Sequence, residues 1–131
     1  MVIDSSALLA ILMNEPEARR FVRAIRNAPS RKISAAGFLE TGMVLRSRAA
    51  PAKHALFERL ILRFHLSIVP VTEEQARTAL DAFGRYGKGR GHAAGLNFGD
   101  CFSYALAKTG DEPLLFKGKD FIHTDIQAVT T

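Results

Sequence analysis

Four acidic residues stand where the predicted elements would bring them together, and they are Asp4, Glu40, Asp100 and Asp120. Asp4 directly follows the apolar run 1–3, and Asp120 comes shortly after the apolar run that ends at Phe116. Carboxylates that lie together repel one another, and some stay protonated unless a divalent cation lies among them. Oxygen ligands suit Mg²⁺ or Mn²⁺, whereas zinc favours His or Cys. The four acids therefore predict a site for a hard divalent cation.

Glu40 is the acid whose surroundings least resemble those of a solvated side chain. In a helix, its neighbours three and four residues away are small or apolar, namely Ala36, Gly37, Met43 and Val44. An unpaired carboxylate on such a stripe would be costly to desolvate, and its pKa would rise. A bound cation removes that penalty, so we expect Glu40 to point into the shared site.

Each acid also has an alternative explanation that needs no metal. Asp4 could cap the first helix, and Asp100, three residues after Asn97, could complete a capping box. Asp120 could be a turn residue, and Glu40 could lie on a solvated edge of its helix. Taken singly, these alternatives stay open. All four together would require a coincidence in a chain that is otherwise basic.

The histidines and the single cysteine show no spacing typical of a metal site or of an activated nucleophile. No HxxxH or CxxC motif links the four histidines, which we interpret as surface or packing residues: His54, His65, His92 and His123. Cys101 lies on a predicted helix among residues expected to be buried, and no histidine base is placed beside it. We interpret it as a small core residue.

Alternating strands and helices must position the acids. Strands are predicted over residues 1–3, 32–34, 67–71 and 113–116, with a short fifth strand over 125–129. Six helices are predicted. The first runs to residue 13 and is capped by Ser5 or Ser6, and the second has Pro16 in its first turn. The others are a helix over 35–48, a helix that begins at Pro51, and helices over 72–86 and 97–110. This order indicates an α/β domain, with a central, mostly parallel, four- to five-stranded sheet flanked by helices on both faces. Ligands of such sheets bind beyond the carboxyl ends of the strands, where these acids fall.

Length and composition restrict the class of protein. The 131 residues are expected to form one domain over 1–131, and 47% hydrophobic with 24% charged residues excludes a disordered chain. One cysteine excludes a disulfide-bonded secreted scaffold. No apolar run reaches the roughly 20 residues that span a bilayer, and Asp4 stands where a signal peptide would carry a basic flank. We therefore expect a cytoplasmic protein with no membrane contact.

Several segments resemble the PIN domain family and, more narrowly, the VapC toxins of bacterial type II toxin–antitoxin operons. They are VIDSSALLAIL at the start, FLET around Glu40, LNFGDCFSYALAK around Asp100 and LLFKGKDF around Asp120. The resemblance covers nearly the whole chain in order, and NFGDCFSYALA and FKGKDF are its most specific segments.

This resemblance implies a metal-dependent endoribonuclease toxin that cuts a transfer, ribosomal or messenger RNA and is neutralised by a VapB-like antitoxin. The catalytic acids of the family fall on Asp4, Glu40, Asp100 and Asp120. One or two Mg²⁺ ions, with Mn²⁺ as an alternative, would be held mainly by Asp4 and Asp100. Ser6 would support the first aspartate or hold a water, and Asp125 is a peripheral candidate. The resemblance also implies a homodimer or a hetero-oligomer with the antitoxin.

The net charge and three segments indicate how partners would bind. The net charge of +5 favours polyanions. Lys88 and Arg90 in the glycine-rich loop 87–95 are expected to guide RNA, unless that loop is only a surface turn. The arginines of the second helix are more typical of a solvated face: Arg19, Arg20, Arg23 and Arg26. The apolar belt over 55–64 is wider than one core contact needs, so with residues 8–13 it is a candidate antitoxin groove, or else a central core helix.

Two other functions compete with a nuclease. A non-catalytic PIN-like module would only bind RNA or a protein, but a surface that binds phosphates would not gather carboxylates. A phosphoryl-transfer domain with an aspartate acceptor would carry an acidic pair or an Asp-x-Asp motif after the first strand. Here Asp4 is followed by two serines.

Overall fold

The chain folds into four strands and six helices in a computed structural model that describes all of residues 1–131. The strands are β1 (Val2–Ile3), β2 (Lys32–Ser34), β3 (Ser67–Val69) and β4 (Leu114–Leu115). The helices are α1 (Ser5–Leu12), α2 (Ala18–Asn27), α3 (Ala35–Arg48), α4 (Pro51–Arg63), α5 (Glu73–Tyr86) and α6 (Phe98–Thr109). The predicted alternation of strands and helices is confirmed.

All four strands are parallel and form one sheet in the order β3-β2-β1-β4. Val2 of β1 is in register with Lys32 on one side and Leu114 on the other. Because the strands are parallel, their carboxyl ends lie along the same edge of the sheet. The residues that follow β1 and β4 are therefore brought to neighbouring positions.

The predicted fifth strand over 125–129 is wrong. That segment makes a single parallel bridge, between Leu114 and Ala128. The backbone of Leu114 donates to Gln127 O and accepts from Val129 N, both at 2.9 Å. No further residue of the segment continues the ladder, so it is an edge contact and not a strand.

Helices cover both faces of the sheet, as predicted, because alternate strand residues point to opposite sides. Ile3, Ile33 and Leu115 pack in a core with residues of α1 to α4. Val2 and Leu114 pack on the other face with residues of α5 and α6. Strands β1 and β4 are thus buried on both sides, which accounts for their apolar residues, whereas the edge strand β3 exposes Ser67 and Ile68.

Three element boundaries differ from the prediction for local reasons. Helix α2 begins only at Ala18, because Pro16 and Glu17 form a turn, closed by the Ala18 N–H donating to Glu15 O at 2.9 Å, after the chain leaves α1 at Asn14 with a φ of 53°. The cap of α1 is Asp4, whose side chain accepts from the Ser6 backbone, while both serines lie in the first turn. Strand β3 ends at Val69, since Pro70 has no N–H to donate to a ladder.

Helix α4 belongs to the core and also to the surface. Phe57, Leu60 and Ile61 are buried in the core around α1, whereas Leu62 is 73% exposed. The belt over 55–64 therefore contributes to the core and also offers an exposed apolar surface. None of the six helices combines the length and apolar character that a membrane crossing needs.

Candidate active site

Asp4 lies at the end of β1 and is held at both carboxylate oxygens. Its Oδ2 accepts from the backbone N–H of Ser6 at 3.0 Å and from Ser6 Oγ at 2.6 Å. Its Oδ1 accepts from Ser103 Oγ on α6 at 2.5 Å. The residue is only 3% exposed. The helix cap proposed as an alternative is present, and the same carboxylate also faces the site.

Asp100 lies in the first turn of α6 and completes a capping box with Asn97. The Asp100 N–H donates to Asn97 Oδ1 at 2.9 Å, and the Asn97 N–H donates to Asp100 Oδ2 at 3.0 Å. The residue is 8% exposed. The capping box predicted as an alternative is thus confirmed, and it fixes where this carboxylate lies.

The pKa of Asp100 reflects the presence of the other three acids nearby. The pKa of Asp100 is raised to about 7, chiefly by burial, although the hydrogen bond from the Asn97 backbone lowers it. The negative charges of the other three carboxylates contribute to this rise: Asp4, Asp120 and Glu40. Near neutral pH the Asp100 carboxyl is therefore partly protonated, and a cation would compete with that proton.

Glu40 projects from α3 toward the first turn of α6. Its Oε1 accepts a hydrogen bond from the hydroxyl of Ser5, and its carboxylate lies against Gly99. The predicted apolar stripe around Glu40 opens onto a cavity of about 570 Å³, whose lining includes Ala36, Met43 and Val44. Glu40 is half-buried at the edge of this cavity, so it does not lie on the solvated face that was the alternative.

Asp120 is exposed in the turn that follows β4, where Gly118 has a φ of 100°. Its neighbour Phe121 is 2% exposed and packs in the core beside α6. Asp120 is thus a turn residue, as its alternative explanation had it. It is also close enough to influence the pKa of Asp100.

The donor set fits a hydrated, hard cation better than a closed cage. All four side chains offer only oxygen, and their mutual repulsion is what a divalent ion would relieve. No three side chains of the Asp, Glu, His or Cys type are arranged to enclose a single metal ion. Mg²⁺ usually keeps several waters and takes only one or two protein carboxylates, so this arrangement fits it.

Three serine hydroxyls donate hydrogen bonds to the acids of the site. Ser6, expected beside the first aspartate, donates to Asp4 and accepts from the Lys117 N–H at 3.0 Å. Sequence reasoning missed Ser5 and Ser103. Ser103 lies three residues after Asp100 and hence on the same face of a helix, which was a usable signal.

Asp125, predicted as a peripheral acid, is engaged elsewhere. Its Oδ1 accepts from the buried Tyr104 hydroxyl at 2.6 Å, and its Oδ2 pairs with Lys108 Nζ at 2.7 Å. Burial raises the pKa of Asp125, but the hydrogen bonds from Lys108 and Tyr104 outweigh it, so the pKa lies below its ordinary value. Asp125 anchors the C-terminal segment to α6 and does not join the four acids.

The remaining predicted residues lie outside this cluster. Lys88 and Arg90 are exposed in the glycine-rich loop, which is closed by a bridge between Gly87 and Leu96. Their side chains make no hydrogen bond or ion pair. Cys101 is buried, and burial raises the pKa of its thiol, so it is a core residue as predicted and a poor nucleophile. The four arginines of α2 lie on its outer face.

Comparison with known proteins identifies this arrangement. A family model described as the PIN domain matches residues 1–127. The chain belongs to the PIN domain family. Ribonuclease VapC28 of Mycobacterium tuberculosis is 49% identical to this PIN domain over 127 residues, which cover 97% of this chain and 96% of the relative. Ribonucleases of this group are generally metal-dependent, which agrees with the carboxylate donor set.

Solved structures with lower identity share the fold of this PIN domain. Mycobacterium tuberculosis VapC20, described as a sarcin–ricin loop cleaving toxin, superposes with a TM-score of 0.79 at 16% identity, over 99% of this chain and 98% of that chain. A toxin–antitoxin complex from Klebsiella pneumoniae superposes with a TM-score of 0.71 at 18% identity, covering 95% and 92%. These structures establish the architecture, a parallel sheet between two helical layers.

Proposed function

We propose that this PIN domain, acting as one unit over residues 1–131, is the RNA-cleaving toxin of a toxin–antitoxin pair. The observation that carries the proposal is the cluster of four carboxylates around Asp100, in a chain 49% identical to a VapC ribonuclease. A module that only bound RNA would gain nothing from grouped negative charge facing the phosphates. Its proposed place of action is the cytoplasm, where the cellular RNAs lie.

The proposed roles divide the acids into two pairs. Asp4 and Asp100 are buried and held by hydrogen bonds, so they would bind the ion directly, with Mg²⁺ preferred and Mn²⁺ as a substitute. Glu40 and Asp120 are more exposed and would orient waters around it. When bound, the ion would polarise a water and stabilise charge on the departing oxygen of the phosphodiester.

Cleavage of RNA tests the proposal directly. We expect purified protein to cut cellular RNA in the presence of Mg²⁺ and to stop when EDTA removes the ion. Asp100→Asn should abolish cleavage while Asp81→Asn, an exposed acid on α5, leaves it unchanged. Metal-independent binding of RNA without cleavage would instead favour the non-catalytic module.

RNA is proposed to approach over the glycine-rich loop. Lys88 and Arg90 are free of protein partners and exposed, as a phosphate contact requires. Charge reversal at both positions should weaken RNA binding and flatten its dependence on salt. Reversal of both Arg19 and Arg23 on the solvated face of α2, which changes the net charge by the same amount, is the matched control. A salt slope that changes equally in both variants would exclude the loop.

An antitoxin segment is proposed to bind the groove between α2 and α4. This groove, of about 660 Å³, has an apolar floor that includes Ile11, Leu56 and Phe64. Three arginines border it: Arg26, Arg59 and Arg63. Apolar floor and basic rim together suit an amphipathic helix that carries acidic side chains.

A second apolar face is proposed for self-association. It consists of exposed side chains on α3, α5 and α6, namely Leu39, Met43, Leu80, Phe83 and Phe98. So many exposed apolar side chains on adjacent helices are typical of an interface between copies.

One pair of variants separates the two surfaces. Leu62→Asp on α4 should prevent co-purification with a co-expressed VapB-like antitoxin, without changing the mass in solution. Leu80→Asp on α5 should change the mass in solution without affecting co-purification. The two leucines are 73% and 72% exposed, so each substitution serves as the control for the other. Equal effects of both would contradict the assignment.

A further inference from the structure

We infer that Ser103 is a positioning residue that fixes Asp4 relative to Asp100, and that it thereby sets the affinity of the site for a divalent ion. The inference rests on the proposed function, because it assigns to Ser103 a part in the same metal site. Its basis is the hydrogen bond from Ser103 Oγ to Asp4 Oδ1 at 2.5 Å. Both residues are buried, at 2% and 3% exposure.

Ser103 connects two parts of the chain that nothing local holds together. Asp4 directly follows β1, whereas Asp100 lies on α6, and the Ser103–Asp4 bond spans 99 residues of sequence. Ser103 and Asp100 lie three residues apart on α6 and hence on the same helical face. The bond therefore fixes the helix that carries Asp100 against the strand end that carries Asp4.

The hydroxyl of Ser103 does not make the bond that is usual for its place in a helix. The hydroxyl of a serine or threonine inside a helix commonly donates to the backbone carbonyl of the residue four positions earlier in the same helix. Thr41, Ser47 and Thr109 do so, to Gly37 O, Met43 O and Ala105 O. Ser103 donates instead to Asp4, across the junction between α6 and the sheet.

Removing this bond would release one oxygen of Asp4. Oδ2 is held by the backbone and hydroxyl of Ser6, whereas Ser103 is the protein donor to Oδ1. With Ser103 in place, the carboxylate cannot rotate without breaking a bond at one oxygen, and Oδ1 keeps a lone pair for a cation. Groups that orient metal ligands in this way typically change metal affinity by about 10- to 100-fold.

Calorimetric titration of metal-free protein with Mn²⁺ tests the inference without relying on activity. Ser103→Ala should raise the dissociation constant by about 10-fold or more. Ser103→Cys keeps the size of the side chain but replaces a strong donor by a weak one, so it should weaken binding to an intermediate degree. Ser47→Ala, which removes a hydroxyl bonded only within α3, should bind Mn²⁺ like the original protein.

RNA cleavage provides a second readout that a general loss of structure would not reproduce. In Ser103→Ala the metal concentration for half-maximal cleavage should rise by the same factor, and excess Mn²⁺ should restore most of the rate. Loss of rate that excess metal does not restore, in a variant with an unchanged circular dichroism spectrum, would overturn the positioning role.

The variants also separate this inference from the proposed function. If Asp100→Asn abolishes Mn²⁺ binding but folded Ser103→Ala and Ser103→Cys bind like the original protein, the positioning role is wrong and the nuclease site stands. If the original protein binds no Mn²⁺, or if Asp100→Asn leaves its Mn²⁺ binding unchanged, the proposed nuclease site is wrong. The positioning role of Ser103 is then wrong as well.

Discussion

The Cα of Gly99 lies against the carboxylate of Glu40, so closely that a methyl group at position 99 would overlap Oε2. Gly99 has no positive φ, so the reason for glycine here is space and not backbone conformation. The close approach lets a side chain of α3 reach the first turn of α6, directly beside Asp100. A residue with no chemistry of its own thus determines where an acidic group can lie.

Gly99→Ala should therefore disable the site without removing any carboxylate. The added methyl group displaces Glu40, and a displacement of about 1 Å in a catalytic group can cost on the order of 100-fold in rate. Cleavage of RNA by the purified variant measures the effect. Gly84→Ala on α5, where a methyl group meets nothing within 4 Å, should retain activity and gain up to about 1 kcal/mol of stability. Full activity of a folded Gly99→Ala variant would show that Glu40 need not lie there.

Binding of a divalent ion should depend strongly on pH around neutrality. Burial and the neighbouring carboxylates raise the pKa of Asp100 to about 7, so below that pH a proton must leave before the ion binds. We expect affinity for Mn²⁺ to fall by up to about 10-fold for each pH unit below 7 and to level off above it. Calorimetry at several pH values, with proton release read from buffers of different ionisation enthalpy, measures this. An affinity that stays constant between pH 6 and 8 would contradict the raised pKa.

Asp100→Asn should stabilise the metal-free protein at alkaline pH. In the folded state Asp100 holds its proton up to about pH 7, whereas the unfolded chain loses it near 3.8, so the free energy of unfolding falls as pH rises between these values. A pKa difference of one between the folded and unfolded states corresponds to about 1.4 kcal/mol, which sets an upper limit of about 4 kcal/mol for the loss. Urea unfolding in EDTA at pH 5 and pH 8 should show a larger gain from the substitution at the higher pH. Equal effects at both pH values would exclude the charge as the cause.

Tyr104→Phe should loosen the segment that follows Asp120. Burial, above all, and the adjacent Asp125 raise the pKa of Tyr104, so its hydroxyl stays protonated and donates to that carboxylate. Losing this bond, together with the longer one that the Tyr104 oxygen accepts from Arg85 at 3.3 Å, should lower the free energy of unfolding by about 1–3 kcal/mol. Tyr86→Phe is the control, because the Tyr86 hydroxyl makes no hydrogen bond within the protein. If both substitutions cost the same, the Tyr104–Asp125 bond contributes nothing beyond removal of a hydroxyl.

Most elements of the fold followed from local signals, and each exception has an identifiable cause. Thr72, Asn97 and Gly110 mark helix ends as predicted, since capping depends on a few adjacent residues. Pro16 did not start a helix, because it lies in a turn that the Ala18 N–H closes on Glu15 O ahead of α2. Residues 125–129 did not form a strand, because the number of ladder bonds depends on a distant partner.

The sequence could not decide whether each acid belongs to a shared site or only caps a helix or lies in a turn. Asp4 proved to be a helix cap and Asp100 part of a capping box, and both also belong to the cluster, so the two explanations did not exclude each other. Asp125 looked like a further acid until the structure paired it with Tyr104 and Lys108. Which partner a carboxylate meets depends on residues far away in the chain.

The sequence by itself determined the class of the protein: apolar strands, helix caps and acids after strand ends are local features, and local features suffice for an α/β fold with an oxygen-rich site. Only the tertiary structure decided how that site is held. Ser103 and Gly99 have ordinary residue types, and they matter because packing of α6 against β1 and α3 puts one on Asp4 and the other beside Glu40. Contact between segments this distant in sequence arises from burial of the whole core, which no local pattern encodes.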